Sequence, residues 1–233
     1  MAHVFRFFLP VAPDDLAVGS AVQLAPDDAK RLHKVLRLEV GEVVEIADGQ
    51  GRVFLADVTN ARGGEVVLTT ELSAPQPLVQ LRVLLAQSGP RADDAVEKLV
   101  ELGVAEIAPL LAAGRRREAR TDRWQRIAEG AAAQAKLPLV PTITPPVEFQ
   151  AALMPGAIVC SHEQDTTSLA DALVGVGGPI TLLIGPEVGF SEAELSAACR
   201  AGVPVVRFGH TVLRTETAAV VFAALVIDRL SSE

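Results

Sequence analysis

Two polar, glycine-containing segments in the C-terminal half of the chain are its strongest candidates for chemistry. Residues 182–191 and residues 208–218 each begin as an apolar run, break into a polar loop and enter a helical pattern. Because loops at the carboxyl ends of neighbouring strands meet at one edge of an open α/β sheet, we expect the two segments to form one small-molecule pocket. Gly185 and Gly189 would let the backbone approach a ligand closely.

Arg214 and Glu216 are the charged side chains of the second segment. Glu216 falls in the first turn of a predicted helix, where the helix dipole favours a carboxylate, and that alone could account for it. Arg214 lies between apolar runs and needs a partner. Ser191 and Glu194 fit the S-x-x-E capping box, which we interpret as structural.

Other motifs that carry chemistry are incomplete or misplaced. The glycines of residues 175–178 precede a predicted strand, whereas a dinucleotide fingerprint follows one. His162-Glu163 lacks the P-C-x-x-C partner of zinc deaminases, and the sequence has neither a Walker A loop nor a G-x-S-x-G elbow. Four histidines and two cysteines are scattered along the chain, so we expect no metal.

Length and composition favour a globular protein of one large or two modest domains. The chain has 233 residues, 49% of them apolar, and its two cysteines have no CxxC spacing, which fits a reducing cytoplasm. The N-terminus does not resemble a signal peptide. The longest apolar run, residues 218–227, is half a membrane span, so we interpret it as a buried helix and expect no membrane partner.

The elements that must position the two segments change in type along the chain. Residues 1–73 are predicted to be mostly β, with strands at 43–47, 53–58 and 66–70, an Asp48-Gly49 hairpin turn and one short helix at 27–36, which suggests a small barrel. From residue 74 onward strands alternate with helices, which predicts a parallel α/β sheet. The predicted strands are 81–86, 105–111, 157–161, 180–184 and 205–208, and the predicted helices are 93–102, 121–136, 191–201 and 216–230.

Positive charge is clustered although the chain as a whole is acidic. The formal net charge is −8, which argues against nonspecific adhesion to nucleic acid. Six arginines nevertheless lie within residues 115–126, and Lys30, Arg31, His33, Lys34 and Arg37 form a second cluster. Each cluster is either a solvated face or a local patch for RNA.

Two motifs carry a resemblance to a known family. They are Ile184-Gly185-Pro186-Glu187-x-Gly189-Phe190-Ser191 and Leu213-Arg214-x-Glu216-Thr217-Ala218. With supporting matches at Arg6-Phe7-Phe8, His33 to Leu38, Lys98, 101–104 and Arg123-Trp124, the chain resembles the RsmE family of ribosomal RNA methyltransferases, in the SPOUT superfamily, over nearly its whole length.

The resemblance implies a fold, a reaction and partners. Residues 1–73 would form a PUA-like RNA-binding β-barrel, and residues 74–233 a SPOUT α/β domain with a deep trefoil knot. The protein would be a homodimer that uses S-adenosylmethionine, without a metal, to form N3-methyluridine in 16S rRNA or in the small ribosomal subunit. A SPOUT methyltransferase acting on tRNA or on a ribose 2′-hydroxyl, and a noncatalytic RNA-binding assembly factor, stay open as alternatives.

The resemblance also implies site residues. From the chemistry of methyl transfer we hypothesise that Arg214 and Glu216 are catalytic, with Arg214 stabilising the uracil anion and Glu216 orienting Arg214 or accepting the proton. The residues expected to bind the cofactor are Ser161, His162, Ile184, Gly185, Glu187, Gly189, Gly209, Leu213, Arg214, Thr215, Glu216 and Ala218. The residues expected to bind RNA are Arg6, Lys30, Arg31, His33, Lys34, Arg37, Arg91, Arg115, Arg116 and Arg123.

The chain departs from the family pattern at a few positions. Val188 stands where glycine is usual, and Arg91 replaces a lysine. Gly130 and Ala133 replace acidic residues, and Lys136-Leu137 replaces a Gly-Arg pair. These departures concern the first cofactor loop and the helix expected to face RNA.

Overall fold

The computed structural model describes residues 4–9, 16–74, 79–86, 89–112, 121–162 and 167–231. The chain divides into two compact units: Met1–Gln76 with Glu129–Val140, and Pro77–Ala128 with Pro141–Glu233. The segment 129–140 therefore packs with the N-terminal residues. The sequence pattern does not indicate this packing, because a helical pattern does not specify its packing partner. The functional division at residues 73 and 74 stays a prediction.

The first unit is built on a five-stranded sheet in the order β1-β3-β4-β5-β2, in which β1 runs parallel to β3 and the other pairs are antiparallel. Its strands are β1 Arg6–Phe8, β2 Ala21–Gln23, β3 Val43–Ala47, β4 Val53–Asn60 and β5 Glu65–Leu72. Alternate side chains of these strands form a core with Phe7, Leu32, Ile46, Phe54 and Leu68, each no more than 1% exposed.

Two tight turns fix the hairpins of this sheet. In the predicted turn between β3 and β4, the Asp48 carboxylate accepts hydrogen bonds from the amides of Gln50 and Arg52 at 2.8 and 2.9 Å. Between β4 and β5, Gly64 has a φ of +75°, and a Cβ there would lie 2.4 Å from the Cβ of Ala29. The second turn thus needs glycine both for its backbone and for close packing.

The predicted helix at 27–36 is two elements. Helix α1, Pro26–Lys30, continues into a π-helical turn, Arg31–Val35, in which the Leu36 amide donates to the Arg31 carbonyl at 2.9 Å. Arg37 follows with a φ of +56°, a left-handed conformation that is uncommon for a residue with a side chain. Single π turns occur frequently at functional sites.

The second unit contains a parallel sheet in the order β12-β10-β11-β6-β7-β8, with β9 also pairing with β7. Its strands are β6 Leu81–Leu85, β7 Glu106–Leu111, β8 Thr142–Ile143, β9 Val147–Glu148, β10 Ala157–Cys160, β11 Ile180–Ile184 and β12 Val205–Val206. Its helical segments are α2 Pro90–Glu101, α3 Thr121–Gln134, which continues into the first unit, the 3₁₀ turn Phe149–Ala152, α4 Leu169–Ala172, α5 Glu192–Arg200 and α6 Thr215–Ser231.

The parallel α/β architecture predicted for this part of the chain is confirmed. The prediction missed the two-residue strands β8 and β9 and helix α4, and it made β12 two residues too long. Helix α6 packs against α2, β6 and β11. Within the described residues, no helix is both long enough and apolar enough to cross a membrane.

Candidate functional site

A pocket lies at the carboxyl ends of β10, β11 and β12 and beside the first turns of α6. It has about 740 Å³ of empty space, part of it open to solvent. Within the sheet β10 lies between β11 and β12, so the loops after these three adjacent strands surround one volume. This is the edge at which parallel sheets bind ligands.

The structure brings most of the predicted cofactor residues together in this pocket. Of the twelve, ten contribute to its wall: Ser161, His162, Ile184, Gly185, Glu187, Gly189, Gly209, Leu213, Thr215 and Ala218. The two polar segments therefore converge, as the sequence predicted, although the strands before them, β11 and β12, lie on either side of β10 and are not direct neighbours.

The loop after β11 is held by close packing around its two glycines. A Cβ at Gly185 would lie 2.9 Å from the ring of Phe190, which is buried and packs against Phe149 with ring centroids 5.2 Å apart. Gly189 has a φ of +77°, and its amide donates to the Pro186 carbonyl at 2.8 Å. These contacts fix a tight turn whose backbone forms one wall of the pocket.

The first helix after this loop begins with the predicted capping box. Ser191 Oγ accepts from the Glu194 amide at 3.3 Å, and the Glu194 carboxylate accepts from the Ser191 amide at 2.7 Å. Val188, the departure from the family pattern in this loop, is 68% exposed and does not line the pocket. Its side chain therefore leaves the volume of the pocket unchanged.

The segment between β12 and α6 forms the opposite wall. Residues 207–213 all contribute to it, and Thr215, Ala218 and Phe222 add one face of α6. These three positions are spaced three and four residues apart, so they share a side of the helix. Thr215 and Phe222 are buried, at 4% and 3% exposure.

The end of β10 supplies a neutral sulfur and a polar edge. Burial raises the pKa of the Cys160 thiol well above its ordinary value, so the group stays protonated at neutral pH. A protonated thiol is a poor nucleophile, which removes Cys160 as a candidate for covalent catalysis. Ser161 and the exposed His162 complete this side of the pocket.

The two predicted catalytic residues, Arg214 and Glu216, do not line the pocket wall. Arg214 is exposed, and among the described residues its side chain makes no ion pair. Glu216 is an ion-pair partner of Arg91, with Oε1 3.8 Å from Nε. Both flank Thr215, which does line the pocket, so they lie at its margin and their catalytic roles stay predictions.

About half of the pocket wall was not assigned residue by residue, although most of it lies in the two segments expected to form the pocket. The residues without an individual assignment are Cys160, Pro186, Phe190, Arg207, Phe208, His210, Thr211, Val212 and Phe222. The helical spacing from Thr215 through Ala218 to Phe222 could have identified the last of these. Within residues 207–212 Gly209 was predicted, but the other residues had no such signal, because a loop without periodicity does not reveal which residues face inward.

The predicted RNA-binding residues fall into different environments. Lys30, His33 and Lys34 line one groove on the first unit, together with Arg62, which the sequence analysis did not select. The Arg31 guanidinium lies 5.8 Å from the centroid of the Phe7 ring, and Arg37 is exposed. Arg115 and Arg116 lie outside the described residues.

The position of Arg6 corrects its assignment as an RNA contact. It is 9% exposed, pairs with Glu45 at 3.0 Å and donates to the Lys136 carbonyl at 2.5 Å. Lys136 has a φ of +55° and binds the same Glu45 carboxylate at 3.1 Å. Arg6 therefore has no exposed cation for a phosphate and instead ties the 129–140 segment to β1 and β3.

Arg91 and Arg123 also have carboxylate partners. Arg91 Nη1 lies 2.6 Å from Glu187 Oε1, and Arg123 Nη2 lies 2.6 Å from Asp93 Oδ2. Both arginines are about half exposed, at 51% and 53% of the side chain. An exposed arginine that is already paired can still meet a phosphate, so their RNA contacts stay predictions.

Among the described residues, no group of three or more His, Cys, Asp or Glu side chains could hold a metal ion. The residues of the pocket wall are mainly glycines, apolar side chains and backbone, with Glu187 as their carboxylate. This wall suits an organic ligand of mixed polarity.

Comparison with known proteins gives the family. Residues 75–227 match the family described as RNA methyltransferase domain. The ribosomal RNA small subunit methyltransferase E of Neisseria gonorrhoeae, solved bound to S-adenosyl methionine, is 31% identical with a TM-score of 0.87, covering 97% of this chain and 98% of that one. A methyltransferase of Legionella pneumophila, solved with the same cofactor, is 25% identical with a TM-score of 0.85 over 98% of both chains.

A curated relative extends the match. The ribosomal RNA small subunit methyltransferase E of Synechocystis sp. is 29% identical, covering 99% of this chain and 80% of the relative. Together with the convergence of the two glycine-containing loops on one pocket, these similarities show that the chain belongs to the RNA methyltransferase family and, within it, to the ribosomal RNA small subunit methyltransferase E proteins.

Proposed function

We propose that this protein transfers a methyl group from S-adenosylmethionine to N3 of a uridine in 16S rRNA, free or within the small ribosomal subunit. The observation that carries the proposal is the pocket shared by the loops after β10, β11 and β12. Its wall contains ten of the twelve residues that the family resemblance assigns to the cofactor. The similar protein of Neisseria gonorrhoeae is bound to S-adenosyl methionine.

The residues present fit this cofactor. Apolar side chains at Ile184, Leu213 and Phe222 suit its adenine ring, and the backbone of the two loops suits its polar groups. A Cβ at Gly185 would disturb the Phe190 ring, so the loop requires glycine at this position. When bound, the cofactor would supply a methyl group on a sulfonium sulfur, and the neutral thioether would be the leaving group of the in-line displacement.

The remaining steps belong to the protein. Positioning the uridine against the methyl group can supply much of the acceleration. Uridine N3 carries an imide proton that must leave before or during attack, so a base or a stabiliser of the uracil anion is required. We assign the stabilising role to Arg214, which is exposed at the pocket margin, and the orienting or proton-accepting role to Glu216.

We further assign the first unit, with residues 1–73 as its domain, to a PUA-like barrel that contacts RNA. Its groove is lined by Lys30, His33, Lys34 and Arg62, a set of cationic or protonatable side chains that suits phosphates. The π-helical turn places His33 and Lys34 there. Within a chain of net charge −8, this local patch would direct RNA to one face.

For residues 74–233 we propose a SPOUT domain with a deep trefoil knot, which assembles as a homodimer in the cytoplasm, where ribosomal RNA would be its partner. The family resemblance of the sequence implies the knot, and the similarity to solved proteins over nearly the whole chain supports that resemblance. Apolar side chains of α6 outside its buried face, among them the 40% exposed Leu225, support a second copy as a partner.

Methyl transfer to defined RNAs tests the proposal. The protein is incubated with labelled S-adenosylmethionine and with unmodified small subunits, free 16S rRNA or tRNA, and the modified nucleoside is identified. N3-methyluridine from the ribosomal substrates alone is the expected result. Methylated tRNA or a 2′-O-methylated ribose would show that the target differs from the proposed one. Cofactor binding without transfer to any RNA would show that the protein is an RNA-binding factor and not a methyltransferase.

The role of Arg214 has its own test. Replacing Arg214 by Ala should lower kcat by about a hundredfold or more and change the Kd for S-adenosylmethionine by less than about threefold. Arg200→Ala, which removes an exposed arginine at the end of α5, is the matched control and should change neither constant. Equal losses of kcat and affinity in Arg214→Ala would reject the assignment.

A further inference from the structure

The side chain of Arg91 joins two segments that come from different parts of the sheet. Arg91 lies in the first turn of α2, and its Nη1 is 2.6 Å from Oε1 of Glu187, in the loop after β11. Its Nε is 3.8 Å from Oε1 of Glu216, in the first turn of α6. One guanidinium therefore contacts both walls of the pocket region through two carboxylates.

These ion pairs are poorly suited to stabilising the fold. The side chains of Arg91 and Glu187 are 51% and 54% exposed, and exposed pairs add little to folding because water screens them. Glu216 is more protected, at 20% exposure. The two ion pairs instead determine how far apart the two segments lie. Each segment carries one of the carboxylates, both carboxylates are attracted to the Arg91 guanidinium, and no strand pairing joins the segments directly.

Each segment is attached to the pocket through its neighbours. Glu187 itself lines the pocket, and Glu216 follows Thr215, which is buried and also lines it. A shift of either segment would change the distance between the two walls. A cofactor that binds between the two walls needs one particular separation, and only a fraction of the molecules has it. The apparent Kd rises as that fraction falls.

We propose that Arg91 is a positioning residue that sets the separation between the Glu187 loop and the start of α6, and thereby raises the affinity for the methyl donor. This inference rests on the proposed function. Arg91, predicted from the sequence to contact RNA, would then act on the donor site. Arginine suits this role because its separate nitrogens can address two carboxylates, whereas lysine offers one compact charge.

The first experiment measures binding of S-adenosylmethionine to the full chain by calorimetry. Arg91→Ala should raise the Kd by about three- to tenfold, and Arg91→Lys by less, because one carboxylate keeps a partner. Lys98→Ala is the matched control: Lys98 lies on the same helix, is 50% exposed and pairs with Glu97 and Glu101. It should leave the Kd unchanged, and the two alanine variants should have the same Tm.

A second experiment tests whether Glu187 and Glu216 act through Arg91. Glu187→Gln and Glu216→Gln are combined in a double-mutant cycle with the same Kd as readout. Their effects should be nonadditive by at least about twofold when Arg91 is present and additive in the Arg91→Ala background. The difference in donor Kd between wild type and Arg91→Ala should also become smaller in about 1 M salt, where the Debye length is about 3 Å and ion pairs are strongly screened.

The outcomes separate this inference from the function on which it rests. If wild type does not bind the donor, the proposed function fails and this inference fails with it. If wild type binds and Arg91→Ala binds equally well, only the role of Arg91 is overturned. A raised KM for RNA with an unchanged donor Kd would return Arg91 to the RNA contacts and overturn it as well.

Discussion

At the scale of single residues, the shape of the pocket depends on the absence of a side chain at Gly185. Gly185 needs no left-handed backbone, so its conformation alone does not require glycine. The requirement is steric, because a Cβ would lie 2.9 Å from the ring of Phe190, which itself packs against Phe149. A methyl group here would force the ring pair apart and move the loop that forms one wall.

We therefore expect Gly185→Ala to raise the Kd for S-adenosylmethionine by about tenfold and to lower the free energy of unfolding by about 1–3 kcal/mol, the usual cost of overpacking. Calorimetry and urea unfolding measure the two effects. Gly178→Ala is the control, since a Cβ there meets nothing within 4 Å and the φ is ordinary. Tight donor binding by Gly185→Ala would contradict the steric argument.

Asp28 gives a second prediction at this scale. Burial raises the pKa of this carboxyl, Arg31 partly offsets the rise, and Glu129 and Asp27 add to it. A carboxyl whose pKa is raised by folding destabilises the fold when ionised, so stability is lost as pH rises from about 3.8 through the raised value. Asp28→Asn should therefore unfold at higher urea than wild type at pH 7, with a gain that shrinks toward pH 4.

The control for this pH effect is Asp27→Asn, which removes the same charge from the neighbouring exposed position of α1. It should stabilise the protein less than Asp28→Asn does, because it removes only the repulsion that Asp27 adds to the Asp28 carboxyl. Equal stabilisation by both substitutions would point to net charge in place of burial, and a gain for Asp28→Asn that persists unchanged at pH 4 would rule out titration of this carboxyl.

At the scale of elements, the sequence predicted what depends on local pattern. Continuous apolar runs marked β6, β7, β10 and β11, since buried parallel strands carry no polar face, and β11 was predicted to the residue. Strands β8 and β9 have two residues each, too few for any periodicity, and exist only through pairing with β7. The same reason applies to the site: the sequence indicated the two glycine-containing segments, but which side chains of residues 207–212 line the pocket depends on the path of a loop.

The capping box of α5 allows a prediction at this scale. Ser191→Ala removes the acceptor of the Glu194 amide and should lower the free energy of unfolding by about 1 kcal/mol. Hydrogen exchange should speed up in the first turn of α5. Ser168→Ala is the matched control, because Ser168 caps the four-residue helix α4, which has no buried residues. It should cost less, and an equal cost would show that the cap of α5 has no special role.

At the scale of the whole molecule, α6 is the element whose environment is incomplete. Its buried residues are Thr215, Ala219, Phe222, Ala223 and Val226. Its other faces are apolar too, at Val220, Val221, Ala224, Leu225 and Ile227, and a helix that is apolar on all sides is normally buried on all sides. A second copy of the chain would cover these positions symmetrically, since most soluble homo-oligomers are twofold dimers.

Leu225→Glu should consequently convert the proposed dimer into a monomer. A carboxylate buried at the interface would cost about 3 kcal/mol, which raises the dimer dissociation constant roughly a hundredfold. Sedimentation equilibrium at micromolar protein measures it, with Val174→Glu as control because Val174 is 77% exposed after α4. The proposal is overturned if wild type sediments as a monomer or if the Leu225→Glu variant stays dimeric. Either result would mean that a second copy of this chain does not cover that face of α6 and that its apolar side chains need another partner.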